Sequence, residues 1–258
     1  MTTERVRARV FGEVADEYDR IRPGYPAELV KDILTYARLA EAPALEVGAG
    51  TGKATVLFAA RGVTLTAVEP DPAMAAVLEQ RVAGLPQVTI TVSSFEDHVP
   101  DQPFGLLFSA QAWHWTDPAV RWEKAAAALA PGGALALFWN FHHLKDPDAA
   151  AGVLAAHQRY APHITPDTHP VEDTWLATSW PQVELEARSE FGDLSARLYR
   201  SERTLSGADY VAYLSTQSAY LILDDTTRAD LFAALKDLLG EQVTLSVDTA
   251  LHLARRTG

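Results

Sequence analysis

Three glycines at alternate positions, Gly48, Gly50 and Gly52, lie between two acidic residues, Glu46 and Glu69. Glycine lacks a Cβ, so a G-x-G-x-G run can turn sharply with φ > 0 and let a ligand come close to the main chain. The helix-forming stretch that follows, Lys53 to Ala60, sets a helix N-terminus with unpaired N–H groups beside the turn. Glu69 stands about twenty residues further on, where a carboxylate can take both hydroxyls of a ribose. Together these residues ask for a nucleotide-like ligand. The spacing then discriminates among such ligands. A dinucleotide fingerprint reads G-x-G-x-x-G, and here Lys53 stands where its last glycine belongs. A P-loop closes on Gly-Lys-Ser/Thr, and Ala54 lacks the metal-binding hydroxyl. Glu46, just before the turn, would repel a pyrophosphate but suits a cation such as an amino-acid ammonium.

The elements that must hold these residues follow from apolar periodicity. Val10, Val14 and Tyr18 predict an amphipathic helix over Val6–Ile21, broken by Arg22-Pro23-Gly24-Tyr25-Pro26. A second helix starts at Pro26, buries Leu29, Val30, Ile33, Leu34 and Ala37, and ends before Pro43. Strands are expected at 44–47, 63–68, 88–92, 104–108 and 134–139, with helices at 53–61, 73–82 and 118–130 between them. Ser93–Gln102 is a loop, and Pro131-Gly132-Gly133 a turn. Near-continuous apolar strands alternating with helices predict an α/β fold, a Rossmann-like, doubly wound, mostly parallel seven-stranded sheet with helices on both faces. Beyond Asn140, helices are expected at 149–160, 207–223 and 227–239, a loop at 162–174, and strands at 183–191, 196–204 and 243–253. The expected organisation is one domain over 1–258. Residues 1–42 form a helical cover, 43–140 the cofactor-binding core, and 141–258 a helical lid over the sheet rim with the last strands.

Ligands of such sheets sit at the carboxyl ends of the strands. The residues there are Glu46 and Gly48–Gly52, then Glu69, then Ser94, Phe95 and Glu96, then Ser109 to Trp115. At these positions the chain resembles the class I S-adenosylmethionine-dependent methyltransferases. Leu45-Glu46-Val47-Gly48-Ala49-Gly50-Thr51-Gly52 looks like their first motif and Val68-Glu69-Pro70-Asp71-Pro72-Ala73-Met74 like their second. Leu129-Ala130-Pro131-Gly132-Gly133 matches the turn before their fifth strand. Phe11 to Arg20 leading into Arg22-Pro23-Gly24-Tyr25-Pro26, with Ser109-Ala110-Gln111-Ala112-Trp113-His114-Trp115, is similar to a branch that includes trans-aconitate-type small-molecule enzymes.

The resemblance implies S-adenosyl-L-methionine as cofactor and S-adenosyl-L-homocysteine as product. Backbone groups of Gly48, Ala49 and Gly50, with Gly52 in the same turn, would hold the methionine end, and Glu46 would lie near its ammonium. Glu69 would bind the ribose, Met74 or Pro70 would pack on the adenine, and Phe95 with Glu96, beside Ser94, would read its amino edge. Ser109 and Gln111 complete the expected cofactor set. The family often carries Asp followed by a small residue where this chain has Ser94-Phe95-Glu96.

Methyl transfer from a sulfonium needs an in-line nucleophile, and proximity with desolvation can supply most of the rate. A base is needed only for an acceptor protonated at neutral pH. His114, flanked by Trp113 and Trp115, is the candidate: a general base, an acceptor-orienting hydrogen bond, or a histidine packed to shape the pocket. Tyr18, Arg22 and Tyr25 belong to the expected cover, with Arg22 set to meet a carboxylate and Tyr18 to close over the methyl group; the alternative is a surface turn with aromatic packing. His142, His143, His157, His163 and His169 fit no zinc spacing, so no metal is expected. Trp175, Trp180, Tyr210, Tyr213 and Tyr220 are expected in the lid or its packing.

Composition narrows the partners. A net charge of -12 argues against a duplex-binding surface, and the cluster Arg5, Arg7, Arg9 reads as a solvated segment. The absence of cysteine excludes disulfides and thiolate chemistry and fits a reducing cytoplasm. No run is apolar enough to span a bilayer. The expectation is a cytoplasmic monomer or homodimer that methylates a small molecule, on the oxygen of a small carboxylic acid. The alternatives are N- or C-methylation of a secondary metabolite, or an NAD-dependent oxidoreductase.

Overall fold

Apolar residues at i, i+1, i+4 and i+8 make one stripe on a helix, and Leu29, Val30, Ile33 and Ala37 are the buried residues of the helix Ala27–Ala37. The computed structural model describes residues 15–258. A helix, α1, spans Ala15–Ile21. The earlier part of the expected helix, with Val10, Phe11 and Val14, and the arginines 5, 7 and 9 lie outside the described residues. In chain order there follow α2 (Ala27–Ala37), β1 (Ala44–Val47), α3 (Thr55–Ala59), β2 (Leu65–Glu69), α4 (Pro72–Val82), β3 (Val88–Val92), β4 (Phe104–Ala110), α5 (Arg121–Ala128), β5 (Leu129–Leu144) and α6 (Pro147–Tyr160). Then come α7 (Trp175–Thr178), α8 (Gln182–Glu186), β6 (Phe191–Leu205), α9 (Gly207–Ser215), α10 (Ser218–Leu221), α11 (Asp225–Leu238) and β7 (Val243–Arg256).

The strands form a seven-stranded sheet in the order β3-β2-β1-β4-β5-β7-β6. The ladders from β3 across to β5 are parallel, and the sheet is antiparallel at one edge. The chain leaves β1 toward β2 and β3, then returns to place β4 on the other side of β1. That reversal opens the crevice in which such sheets bind ligands. β1 is buried along its whole length, as a central strand covered on both faces requires, whereas β3 at the edge is only partly buried. One face is covered by α2 and α3 through Leu29, Ile33 and Phe58 against Leu106, Phe108 and Phe138. The other is covered by α4 through Leu78 and Val82 against Ala49 and Ala67.

The described chain divides into two compact units, each drawn from separate stretches of sequence. One consists of Gly24–Trp139, Glu172–Tyr199 and Thr249–Gly258; the other of residues 15–23, Asn140–Val171 and Arg200–Asp248. The second unit has its own core, with Val153, Tyr210, Leu214, Tyr220, Leu231 and Leu235 among its members. The expected partition at 42 and 140 cuts across these units. Residues 24–42 pack with the sheet, and 172–199 and 249–258 return to it.

Two local expectations are corrected. Val183–Phe191 alternates like a strand, yet 182–186 is helix α8 and the strand begins only at Phe191. The buried residues there, Gln182 and Leu185, are three apart, and Val183 is 46% exposed, so the helical spacing governs. Pro131-Gly132-Gly133 lies within β5 as an irregularity, not before it: Phe104 pairs with Leu129, but Leu106 already pairs with Ala134.

Candidate cofactor and acceptor site

The glycine turn is pinned to β2. The N–H groups of Gly48 and Ala49 both donate to the Val68 carbonyl, at 2.9 and 3.1 Å. The Gly50 N–H donates to Glu69 Oε2 at 2.7 Å. The row of N–H groups expected to face a ligand is therefore spent inside the protein. Open space remains: a Cβ built on Gly50 would meet nothing within 4 Å. Gly48 is the opposite case, with φ +71 and a built Cβ only 2.3 Å from the Ala112 Cβ. Close approach of two loops, not of a ligand, makes glycine obligatory there.

Two buried carboxylates flank the turn. Glu69 is 6% exposed, and its second oxygen accepts from the Asp71 N–H at 2.9 Å. Burial pushes its pKa up to about 7 against the pull of those two N–H groups. Glu46 is 1% exposed. Its Oε2 accepts from the Thr55 hydroxyl at 2.6 Å, while Oε1 is buried with no hydrogen-bond partner among the described residues. Burial raises Glu46 to about 8, and the neighbouring Glu69 charge adds to the rise. The Thr51 hydroxyl in the turn is likewise buried without a partner. An orphaned carboxylate oxygen is expensive unless something cationic or protic meets it. A carboxylate has about four acceptor positions, so Glu69 can keep its two N–H donors and still take two ribose hydroxyls. The site thus fits a ligand with a ribose and a positive charge.

These shifts set a pH profile. Glu46 and Glu69 keep protons in the folded chain that the unfolded chain releases near 4.5, so their contribution to stability declines as pH rises, down to a floor above about 8. The histidines act with opposite sign. Burial lowers His114 and His252 to about 4 and His142 to about 3, so the unfolded chain takes up protons below 6.5 and stability rises with pH up to that point. The melting temperature of the ligand-free protein should therefore peak near neutrality and fall between pH 7 and 8.5. Glu46→Gln should flatten that alkaline fall; a wild-type melting temperature constant over this range would refute the assignment.

Asp71 opens α4 as its N-cap, accepting from the N–H groups of Ala73 and Met74 with Pro72 in the first turn. This fixes Pro70 and the 3% exposed Met74 beside Glu69. After β3, the Ser94 hydroxyl donates to Asp97 and closes a turn. Phe95 is buried 5.5 Å from the Trp113 ring, and Glu96 Oε1 accepts from the Asp117 N–H at 2.6 Å. Glu96 thus ties two loops together.

After β4 the expected residues separate. The fully buried Ser109 hydroxyl donates to the Val47 carbonyl at 2.8 Å, a bond between strands. Gln111 holds φ +61, unusual for a side chain of its size, with its N–H on the Phe138 carbonyl. Trp113 is fully buried between Phe95 and Trp122 and belongs to the core. His114 is exposed, with Trp115 4.5 Å from its ring, and its Nδ1 accepts from the Trp139 indole N–H at 3.2 Å. Burial of much of the ring, with the Arg121 charge, lowers its pKa to about 4. Tyr25 packs edge-on against Phe138, 4.8 Å away in the same unit.

Tyr18 and Arg22 lie in the other unit. The Arg22 guanidinium sits between the rings of Tyr18 and Tyr213, at 4.9 and 5.1 Å. Its Nε and Nη2 both donate to Thr216, each at 2.9 Å. Tyr210, Tyr213 and Tyr220 are in this unit's core, but Trp175 and Trp180 are not: they belong to the unit of the sheet, where Trp180 stands 5.3 Å from Trp139. Among the described residues no three His, Asp or Glu side chains converge as metal ligands. His142 bonds Tyr213, and His157 bonds Tyr220 and the Val153 carbonyl.

Thr51 and Ala112 were read only as parts of their motifs, and Thr55 and Trp139 only as parts of a helix and a strand; none was given a role of its own. Trp139 alone had a signal, since it ends the apolar run of the expected fifth strand. The hydroxyl of Thr55 reaches Glu46 across nine residues and carries no periodicity.

A family model described as a methyltransferase domain matches residues 45–137. Uncharacterized methyltransferases of Mycobacterium tuberculosis and Mycobacterium bovis are 40% identical over 132 residues, 50% of this chain and 51% of each relative. The chain therefore spans about half the length of the curated relatives it matches. Among solved structures, a protein of Anaeromyxobacter dehalogenans assigned as a type II methyltransferase has TM-score 0.60 at 22% identity, over 91% of this chain and 97% of that one. The YcgJ protein of Bacillus subtilis has TM-score 0.54 at 15% identity, over 90% and 99%. These two likenesses speak for the fold. No described helix is long and apolar enough to cross a membrane. The glycine turn and both carboxylates lie inside residues 45–137, the stretch that matches the methyltransferase-domain family.

Proposed function

We propose that the protein transfers a methyl group from S-adenosylmethionine to a small molecule, on the oxygen of a small carboxylic acid. The observation that carries the cofactor is the pair of buried carboxylates on the glycine turn, one with an orphaned oxygen. Glu46 would meet the ammonium, Glu69 the ribose hydroxyls, Pro70 and Met74 the adenine face, and Phe95 with Glu96 its amino edge. When bound, the cofactor supplies an electrophilic methyl: the acceptor's lone pair forms the new bond to carbon, and the carbon–sulfur pair returns to sulfur as a neutral thioether.

The state of His114 supports the acceptor class. A phenol or an ammonium must lose a proton before it attacks, whereas a carboxylate is already a nucleophile at neutral pH. His114 is a poor base, held neutral with its Nδ1 occupied. The net charge of -12 disfavours polyanionic acceptors such as nucleic acid. The similarity of the Phe11–Arg20 and Ser109–Trp115 segments to trans-aconitate-type enzymes points the same way.

The experiment is release of S-adenosylhomocysteine across a panel of small carboxylic acids, phenols and amines, beside a thermal-shift comparison of S-adenosylmethionine with NAD. Stabilisation by S-adenosylmethionine alone and turnover confined to the carboxylic acids are expected. Stabilisation by NAD would overturn the cofactor, and turnover of amines or phenols would overturn the acceptor class.

A further inference from the structure

An indole N–H can donate a hydrogen bond and cannot accept one. The bond from Trp139 Nε1 to His114 Nδ1 therefore has only one direction. A neutral imidazole carries a single proton, so a ring that accepts at Nδ1 bears its proton on Nε2. Trp139 is itself fixed: it is 8% exposed, with the Trp180 ring 5.3 Å away and the His252 ring 6.2 Å away, both near edge-on. Nε2 of His114 makes no hydrogen bond among the described residues, and the residue is exposed.

Burial and the charge of Arg121 disfavour imidazolium at His114. Arg121 on α5 is the cation whose field reaches His114. Its partner Glu184 on α8, 2.8 Å away, also accepts from Trp122 Nε1 at 2.6 Å, and is committed there. His252 on β7, beside Trp139, faces Gln182 Oε1 through Nδ1 at 3.3 Å and is itself lowered by burial. Among the described residues no carboxylate lies within ion-pair distance of His114.

We propose that Trp139 fixes His114 as an Nε2–H donor, and that this donor selects a methyl acceptor presenting an anionic oxygen, a carboxylate. This rests on the methyltransferase reading above and adds to it a residue that touches the acceptor, His114, and a positioning residue, Trp139. A carboxylate suits the donor because one oxygen can take the Nε2–H while the other attacks. A phenol or an ammonium would need the lone pair that this tautomer does not offer at Nε2.

The test begins without turnover. Protein labelled with 15N-histidine is followed by long-range 1H–15N correlation from pH 5.5 to 8.5, free and with S-adenosylhomocysteine. His114 should show the Nε2–H tautomer throughout and should not titrate. Trp139→Phe keeps the ring and removes the donor: it should mix the two tautomers and move the His114 titration upward. For the acceptor identified by the panel, losing this donor should lower kcat/KM roughly ten- to hundredfold, the range of a hydrogen bond to a charged group. His114→Gln, which keeps an N–H near the Nε2 position on an exposed side chain, should recover part of what His114→Ala loses. An Nδ1–H tautomer in the wild type, or a Gln variant as inactive as Ala together with loss of a histidine limb from the kcat/KM profile, would overturn the proposal. Failure of S-adenosylhomocysteine to bind the wild type would strike the methyltransferase reading instead, and would leave the tautomer result standing.

Discussion

Gly48→Ala is expected to remove measurable cofactor binding and to lower the melting temperature. Two penalties coincide at this residue. At φ +71 an L-side chain is held in the left-handed region, which costs about 1–2 kcal/mol. The new methyl group would stand 2.3 Å from the Ala112 Cβ, far inside contact distance, so the loop after β4 or the turn after β1 must shift. A shift of the turn moves the Gly50 N–H away from Glu69, the carboxylate that would take the ribose, and a shift of the loop after β4 displaces the Gln111–Trp115 segment. Affinity for S-adenosylhomocysteine should fall at least about a hundredfold, about 2.7 kcal/mol. The double variant Gly48→Ala with Ala112→Gly removes the collision and keeps the backbone strain, so it should regain stability in part. Titration calorimetry and thermal melts measure both effects, and undiminished affinity in the single variant would show that the turn can relax without disturbing the site.

The second large effect is expected at Glu69, where the choice of substitution is informative. Alanine leaves the Gly50 and Asp71 N–H groups without an acceptor, at about 1–3 kcal/mol for each buried group. Glutamine is nearly isosteric, yet it should do no better. Its amide has one acceptor oxygen for two N–H donors, so its NH2 must face either Gly50 or Asp71, donor against donor. Both variants should destabilise the ligand-free protein and reduce S-adenosylhomocysteine affinity by two orders of magnitude or more, about 2.7 kcal/mol. An analogue lacking the ribose hydroxyls should bind wild type weakly and should bind the variants no worse than S-adenosylhomocysteine does. A glutamine variant with wild-type affinity would show that Glu69 serves the turn and not the ligand.

The glycine turn was readable from the sequence because its constraints are local. Positive φ excludes most side chains, so three alternating glycines announce the turn, and the end of a β-branched strand announces Glu69. What lay hidden was direction. Nothing in Ser109 or Trp113 says that the hydroxyl turns to the Val47 carbonyl or that the indole faces Phe95 and Trp122, because tertiary neighbours decide both. Nothing in Gly48 and Ala49 says that their N–H groups turn back to Val68. Arg22 was expected to meet a carboxylate, whereas its described bonds go to Thr216, 194 residues away, and pairing at that range leaves no mark in spacing. Val183–Phe191 failed for a different reason: an alternating run this short satisfies helix and strand alike until the fold chooses which face to bury.

The order of strands in the sheet is not the order in which they are made. β7 lies between β5 and β6, although β6 precedes it by the whole stretch of α9 to α11. During synthesis β6 therefore emerges before the strand that will join it to the sheet, and its backbone must wait for β7. Sheet completion is thus a late, long-range event, the kind that slows folding through loop closure. A nascent chain halted before Val243 would expose two unfinished edges, at β5 and β6, and each is a template for pairing with a neighbouring chain. The glycine turn, by contrast, is complete once β4 has been laid beside β1, so this half of the sheet can be assembled while the other edge is still open.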